Sequence, residues 1–510
     1  MKGKFQALVK IWDNRLDIIL RRPWTGSHNS RVYTIDRVTS YFCRMRRKKV
    51  ILQKVLMENY AAEGKSLARV DGKVIFVENT IPGDVVDVLL QKNKKDWAQG
   101  IALSFHSYSN ERVTPFCQHF GVCGGCQWQM LPYAKQLQYK QQQVVDNLTR
   151  IGKVELPPIP PILGAKRTTH YRNKMEYTFA NKRFLLASEL LNEHISAEEN
   201  VAGFHARGFY DKVVPIIHCH LQSEPTNLIR LAILNYGLQH KLSHYDIKSH
   251  TGFLRNVQVR LAETGELMVN VVLGYEDTAL REGLMNFIEE SFPEITTLLY
   301  TINLKWNDSL SDLEPKICKG KGYIIEKLEE YQFKISPKSF FQTNTLQGEV
   351  LYQVTRDFAG LDGSQVVYDL YCGTGSIGIF VSSRAKKIIG VELIAEAVED
   401  AKANAALNGI EHASFFEGDV TDICTEEFFA IHGRPDVIIT DPPRAGMHDK
   451  LVQTLLNIAA PVIVYVSCNP ATQARDLALL NDKYIVTRVQ PVDMFPHTLH
   501  IENVVQLKIR

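Results

Sequence analysis

From Val366 to the C-terminus, short β-branched runs alternate with stretches of helical period. VVYDLY, KKIIGVEL, ASFFEGD, DVIITDPP and PVIVYVSC each read as a strand. Apolar runs this short, bounded by turn signals, fit strands buried on both faces. Strands separated by helices need crossover connections, and such connections build a mostly parallel, doubly wound sheet. The tail HIENVVQLKIR adds a last strand. An α/β domain follows, with its ligand crevice at the carboxyl ends of the strands.

Those ends carry the chemistry. VVYDLYCGTGSIGIF places Asp369, then Gly373, Gly375 and Gly378, where a cofactor approaches the backbone closely. Glu392 closes the next strand in GVEL, spaced to bind a ribose diol, and Asp419 closes the third in EGD, beside an adenine pocket. The fourth ends in DPPR, Asp441 to Arg444. Any one of these acids alone reads as a helix N-cap. As a set they separate the domain from a dinucleotide fold, and the pattern resembles the class I S-adenosylmethionine-dependent methyltransferase fold.

SCNP puts Cys468 on the lip where a core strand opens into a loop, and DMFPHTLHIENV holds His497, His500 and Glu502 before the last strand. A solitary cysteine is usually a small buried hydrophobe, the reading given to Cys372 and Cys424. Beside a cofactor edge, a thiol and a carboxylate suit methylation at carbon 5 of uracil. That carbon is too weak a nucleophile until a thiolate adds at carbon 6, and its proton must afterwards be removed so that the cysteine can leave. The thiol needs a local donor or positive potential to ionise, and Arg444 is a candidate source. A cytosine-5 methyltransferase uses similar thiol chemistry, usually with paired cysteines. An amino-group methyltransferase would carry an aromatic where Arg444 stands, and an iron–sulfur RNA-binding protein with a decayed catalytic domain would not need Cys468 and Glu502.

Upstream, GKVIFVENTIPGDVVDVLL gives strand, Pro82-Gly83 turn and strand, with Lys92, Lys94 and Lys95 in a further turn, a small β-barrel signature. CQHFGVCGGCQWQ supplies Cys117, Cys123 and Cys126, three thiolates able to wrap one metal centre with a fourth ligand from afar. Zinc sites more often use two CxxC pairs, and only one is present. LPYAKQLQYKQQQVVDNLTRIG keeps Leu137, Val144, Leu148 and Ile151 at near-helical spacing, an amphipathic helix. HYRNKMEYTF interleaves Tyr171, Arg172 and Lys174, which suits an RNA strand. Residues 165 to 335 mix strands and helices without a visible repeat. The first 45 residues are Arg-rich and acid-poor, a basic arm, a transit peptide or an upstream start before Met45. Nine cysteines, odd and clustered, do not form a secreted disulfide framework, the net charge of +3 says little about partners, and no apolar run is long enough to cross a membrane.

From about residue 54 onward the chain resembles the RNA 5-methyluridine methyltransferases, specifically the iron–sulfur branch that acts on 23S ribosomal RNA. The resemblance implies Cys468 as nucleophile, Glu502 as base and Asp441 holding the uracil. Phe340 and Gln342 in SPKSFFQTN, with Tyr371, Gly373, Glu392, Asp419 and Asp441, match the family's contacts to S-adenosylmethionine. It names the metal centre as [4Fe–4S] on Cys117, Cys123, Cys126 and, in PIIHCH, Cys219, with Cys318 as the rival fourth ligand. The domains implied are a basic extension (1–50), an OB-like RNA-binding TRAM barrel (51–108), a mixed α+β central domain with the cluster (109–340) and the methyltransferase domain (341–510). The helix at 131–152 is expected to pack on the catalytic domain. A cytoplasmic monomer acting on RNA is expected, with tRNA as the other substrate class.

Overall fold

In the computed structural model, residues 50–61, 64–186, 188–190 and 195–510 are described, so the basic extension lies outside them. Residues 51–510 form one unit built around three sheets and a short hairpin. Among the described residues no helix is long and apolar enough to cross a membrane.

The first sheet is small and six-stranded, from Ile51–Leu56 to Trp97–Ser107, antiparallel except where Lys73–Glu78 pairs with Trp97–Ser107. Val55, Ala68, Val77, Val86 and Val88 fill its core. The turn after Pro82 requires glycine: Gly83 has φ +90°, and a Cβ there would lie 2.7 Å from Ser109 Oγ. Lys92, Lys94 and Lys95 are exposed beside it.

The central sheet has seven strands, with Lys174–Lys182 and Leu254–Leu261 at its middle and the helices Thr226–Gln239 and Thr278–Ser291 packed on it. Its strands are buried yet not uniformly apolar. Asn256, Gln258 and Asn270 satisfy one another and Glu176 in a hydrogen-bonded network.

The catalytic sheet contains β1 (Val366–Leu370), β2 (Lys387–Glu392), β3 (Ala413–Glu417), β4 (Val437–Thr440), β5 (Val462–Ser467), β6 (Tyr484–Val492) and β7 (Glu502–Ile509). Their order is β3-β2-β1-β4-β5-β7-β6, with β7 antiparallel to both neighbours and the first five strands parallel. The order reverses beside β1, which opens the ligand crevice there. β7 enters from the opposite direction, so its first residue meets the carboxyl end of β5. Ser467 pairs with Asn503, and one further step of that register sets Cys468 opposite Glu502.

The helix α1 (Tyr133–Asn147) continues into a wider turn, Leu148–Gly152. Val144 and Leu148 pack with Tyr465 and Leu477 of the catalytic domain, as the expected stripe requires, but Ile151 is 45% exposed because the turn rotates it outward. The rest of the buried face is polar. Lys140 Nζ lies 2.6 Å from Asp493 Oδ1 with both side chains fully buried, and Gln136 Nε2 is 3.1 Å from His497 Nδ1. The His497 carbonyl also accepts from Gln127 N at 2.8 Å and Trp128 N at 3.0 Å, and Tyr171 Oη donates to the Pro496 carbonyl at 3.0 Å. These bonds hold the loop that delivers Glu502, within which His497 adopts the unusual φ of +64°.

Removing one partner of a buried ion pair strands the other charge. Lys140→Met should destabilise the protein by about 3–5 kcal/mol, read as a fall in the denaturant midpoint, and adding Asp493→Leu should recover a large part. An unchanged midpoint in Lys140→Met would contradict the anchoring role.

Candidate active site and cysteine cavity

Each strand-end residue owes its place to a strand that stops at the same edge. At the end of β1 the chain turns sharply: Tyr371 takes φ +62°, Gly373 +52° and Gly375 +75°. A Cβ on Gly373 would project into open space, so this face of the loop is free for a ligand. Glu392 closes the loop from β2, accepting from Gly373 N at 3.0 Å and from Ile394 N at 2.9 Å. Asp419 is exposed and caps its own short helix, accepting from Thr421 N at 2.8 Å, bonds that hold its carboxyl below the usual range. Burial, with Asp419, Asp476 and Glu392 nearby, pushes the Tyr371 hydroxyl up.

The segment SPKSFFQTN closes over this loop. Thr374 Oγ1 donates to the Phe340 carbonyl at 3.4 Å, while the Phe340 ring is 68% exposed. Gln342 is buried, and its carbonyl accepts from Asn173 Nδ2 at 2.9 Å. Asn173, a central-sheet residue not singled out in the sequence, also reaches Thr345 Oγ1 at 2.8 Å and ties the two domains together. Beneath the glycines, Asp369 accepts from Gly378 N at 2.8 Å, yet its Oδ1 is buried without a partner and the carboxyl is pushed up to about 7 by burial. An open glycine face, an orphaned buried oxygen and a carboxylate on the next strand fit a cofactor carrying a ribose and a cationic centre.

The reactive corner lies one strand further on. Asp441 follows β4, Cys468 follows β5 and Glu502 opens β7. Burial pushes Asp441 up to about 7, and burial plus the Asp441 charge holds Glu502 well above the ordinary glutamate range. Two carboxyls in one dry corner therefore both lean toward the protonated state, Glu502 the more strongly. Cys468 is partly buried. Desolvation, with Glu502 and Asp441 close by, pushes its thiol up to about 11, and Arg444 opposes the shift without overcoming it. Asn469 caps the helix Pro470–Leu480 and donates to the Arg444 carbonyl at 3.1 Å, which fixes the two loops side by side. Cys372 and Cys424 are buried among core side chains.

The second cluster lies in a cavity of about 630 Å³ lined by Cys117, Cys123, Cys126 and Cys219, and by Thr498 and His500 of the loop before Glu502. Burial pushes Cys123 up to about 11 and Cys126 to about 12, with the other thiols of the group adding to both. Cys318 stands exposed on the edge strand Lys316–Lys319, away from this cavity. Four thiols lining one cavity are a donor set that fits an all-thiolate metal centre. Tyr171, expected to face RNA, is instead buried, its hydroxyl spent on the Pro496 carbonyl.

A family model described as tRNA (Uracil-5-)-methyltransferase matches residues 311–510. An uncharacterized RNA methyltransferase of Bacteroides thetaiotaomicron is 52% identical over 453 residues, covering 88% of this chain and 100% of its own. Another, from Porphyromonas gingivalis, is 50% identical over 454 residues, covering 88% and 98%. Among solved structures, the Pyrococcus abyssi tRNA (uracil-54, C5)-methyltransferase in complex with S-adenosyl-L-homocysteine superposes with a TM-score of 0.69 at 26% identity, covering 89% of this chain and 100% of that one. The class I methyltransferase fold read from the strand pattern is that of a relative over nearly its whole length, and the chain belongs to the RNA (uracil-5-)-methyltransferase family.

Proposed function

We propose that this protein methylates carbon 5 of a uridine in 23S ribosomal RNA through a covalent bond between Cys468 and the base. The observation that carries the reading is the convergence of a thiol and two buried carboxyls at the cofactor edge. S-adenosylmethionine, held by Phe340, Gln342, Tyr371, Gly373, Glu392, Asp419 and Asp441, supplies an electrophilic methyl group. The Cys468 thiolate bonds to carbon 6 while the ring's π pair moves toward oxygen 4, with Asp441 holding the uracil. Carbon 5, now nucleophilic, takes the methyl group. Glu502 then accepts the proton from carbon 5, the double bond re-forms and the sulfur leaves as thiolate.

Cys117, Cys123, Cys126 and Cys219 would hold a [4Fe–4S] cluster, which no step above requires for electron transfer. The small N-terminal sheet acts as a TRAM-type RNA-binding module whose exposed Lys92, Lys94 and Lys95 neutralise phosphates. The choice of 23S RNA rests on the four-cysteine set and that module, both features of the branch this chain resembles. The same chemistry on tRNA is the second reading, favoured by the description of the matching family model and of the Pyrococcus abyssi enzyme.

Incubation with methyl-labelled S-adenosylmethionine and total RNA, followed by nucleoside analysis, should give labelled 5-methyluridine in 23S RNA, and Cys468→Ala should abolish it. Label in tRNA selects the second reading, and label in cytidine or on an exocyclic amine overturns the proposal. The raised thiol makes a separate prediction about pH. In the free protein Cys468 is protonated at neutral pH, so its alkylation by iodoacetamide, followed by peptide mass spectrometry, should climb about tenfold per pH unit from 7 to 10. A rate flat across this range would contradict the assignment.

A further inference from the structure

His170, His218 and His220 come from two separate segments, yet one ring nitrogen from each lies within 4.8 Å of the others, the only such group of three metal-ligating side chains among the described residues. The backbone sets them up. His170 N donates to the His220 carbonyl at 2.8 Å, pinning the segments together, and His170 holds the left-handed φ of +52°, which few residues other than glycine and asparagine adopt without cost. His218 and His220 flank Cys219, and all three line the wall of the four-cysteine cavity. The His218 and His220 rings stand 4.5 Å apart, edge to face, and Phe116 fixes the His220 ring by a perpendicular contact at 5.2 Å.

A second observation concerns the far side of His218. Its Nδ1 lies 3.4 Å from Glu224 Oε1, which leaves Nε2 for the cluster. A carboxylate behind a ligating imidazole is the usual means of orienting the ring and raising its basicity toward a metal. Three imidazoles cannot donate hydrogen bonds to one another's lone pairs all round, and like-charged imidazolium rings would repel. A cation accepting three nitrogen lone pairs resolves both problems.

We infer that His170, His218 and His220 form a binding site for a divalent transition ion of the zinc class, with Glu224 as the carboxylate behind His218. Imidazole donors suit zinc, copper and nickel and not magnesium or calcium. Three protein ligands leave a fourth position, and with His170 exposed that position opens to solvent. The site adjoins the four-cysteine cavity, whose wall His218 and His220 share with Cys219, while His170, outside that lining, brings the third nitrogen.

Zinc titrated into anaerobically purified, iron-containing protein, in competition with a chromophoric chelator, should reveal one tight equivalent while bound iron stays constant. His170→Asn keeps a side chain that tolerates the left-handed backbone, and it should weaken that equivalent at least tenfold, as should His218→Ala; Glu224→Gln should weaken it by about tenfold. In the wild-type protein zinc should also slow carbethoxylation of His218 and His220, read by peptide mass spectrometry, a result that depends on no variant. Absence of a tight equivalent, equal affinity in His170→Asn, zinc uptake matched by loss of iron, or unprotected His218 and His220 would each overturn the site.

Discussion

A thiol and two carboxyls share one desolvated corner at the carboxyl edge of the catalytic sheet, and keeping them there governs what the rest of the molecule must do. Burial pushes all three toward the protonated state, with the Asp441 charge adding to Glu502 and both carboxyls adding to Cys468. Left to themselves such groups would separate or fill with water. They stay together because three different strands end there, one of them reversed. Were β7 parallel to β5, Glu502 would lie at the opposite edge of the sheet, a strand's length from Cys468. The antiparallel insertion is thus the topological condition for pairing the proposed nucleophile with the proposed base.

Holding Glu502 in that corner falls to the loop before it, and the loop is gripped from outside the catalytic domain. Lys140 and Gln136 reach it from α1, Gln127 and Trp128 from the chain just after the cysteine triplet, and Tyr171 from the entry to the central sheet. Phe116, next to Cys117, sets its ring 5.1 Å from His497. The cysteine cavity and the catalytic corner are therefore neighbours through one short loop, whose Thr498 and His500 line that cavity.

The catalytic sheet was readable in the sequence because parallel strands buried on both faces appear as uninterrupted apolar runs, and because acids at strand ends recur at the period of the fold. Gly373, Glu392, Asp441, Cys468 and Glu502 were visible for that reason, and the structure gathers them at one edge. The central sheet was opaque for the converse reason: Asn256, Gln258, Arg260 and Asn270 occupy buried strand positions, so the apolar alternation that marks a strand is broken. In α1, nothing local marks Gln136 and Lys140 as buried, because their partners, His497 and Asp493, lie more than 350 residues away. Ile151 read as core because a regular helix was assumed through it. The three histidines carry no local spacing signal at all, since His170 meets His218 and His220 only in the folded chain.

The claim on which the mechanism rests is that Cys468 and Glu502 act on the same covalent intermediate, first and last. Glu502→Gln keeps the shape of the side chain and removes its capacity to take the proton from carbon 5. Incubated with S-adenosylmethionine and unmodified 23S RNA, this variant should accumulate RNA bound to protein through a denaturing gel, with digestion yielding a methylated uridine on the peptide that contains Cys468. Normal release of 5-methyluridine by Glu502→Gln, or an adduct mapped to another cysteine, would contradict it.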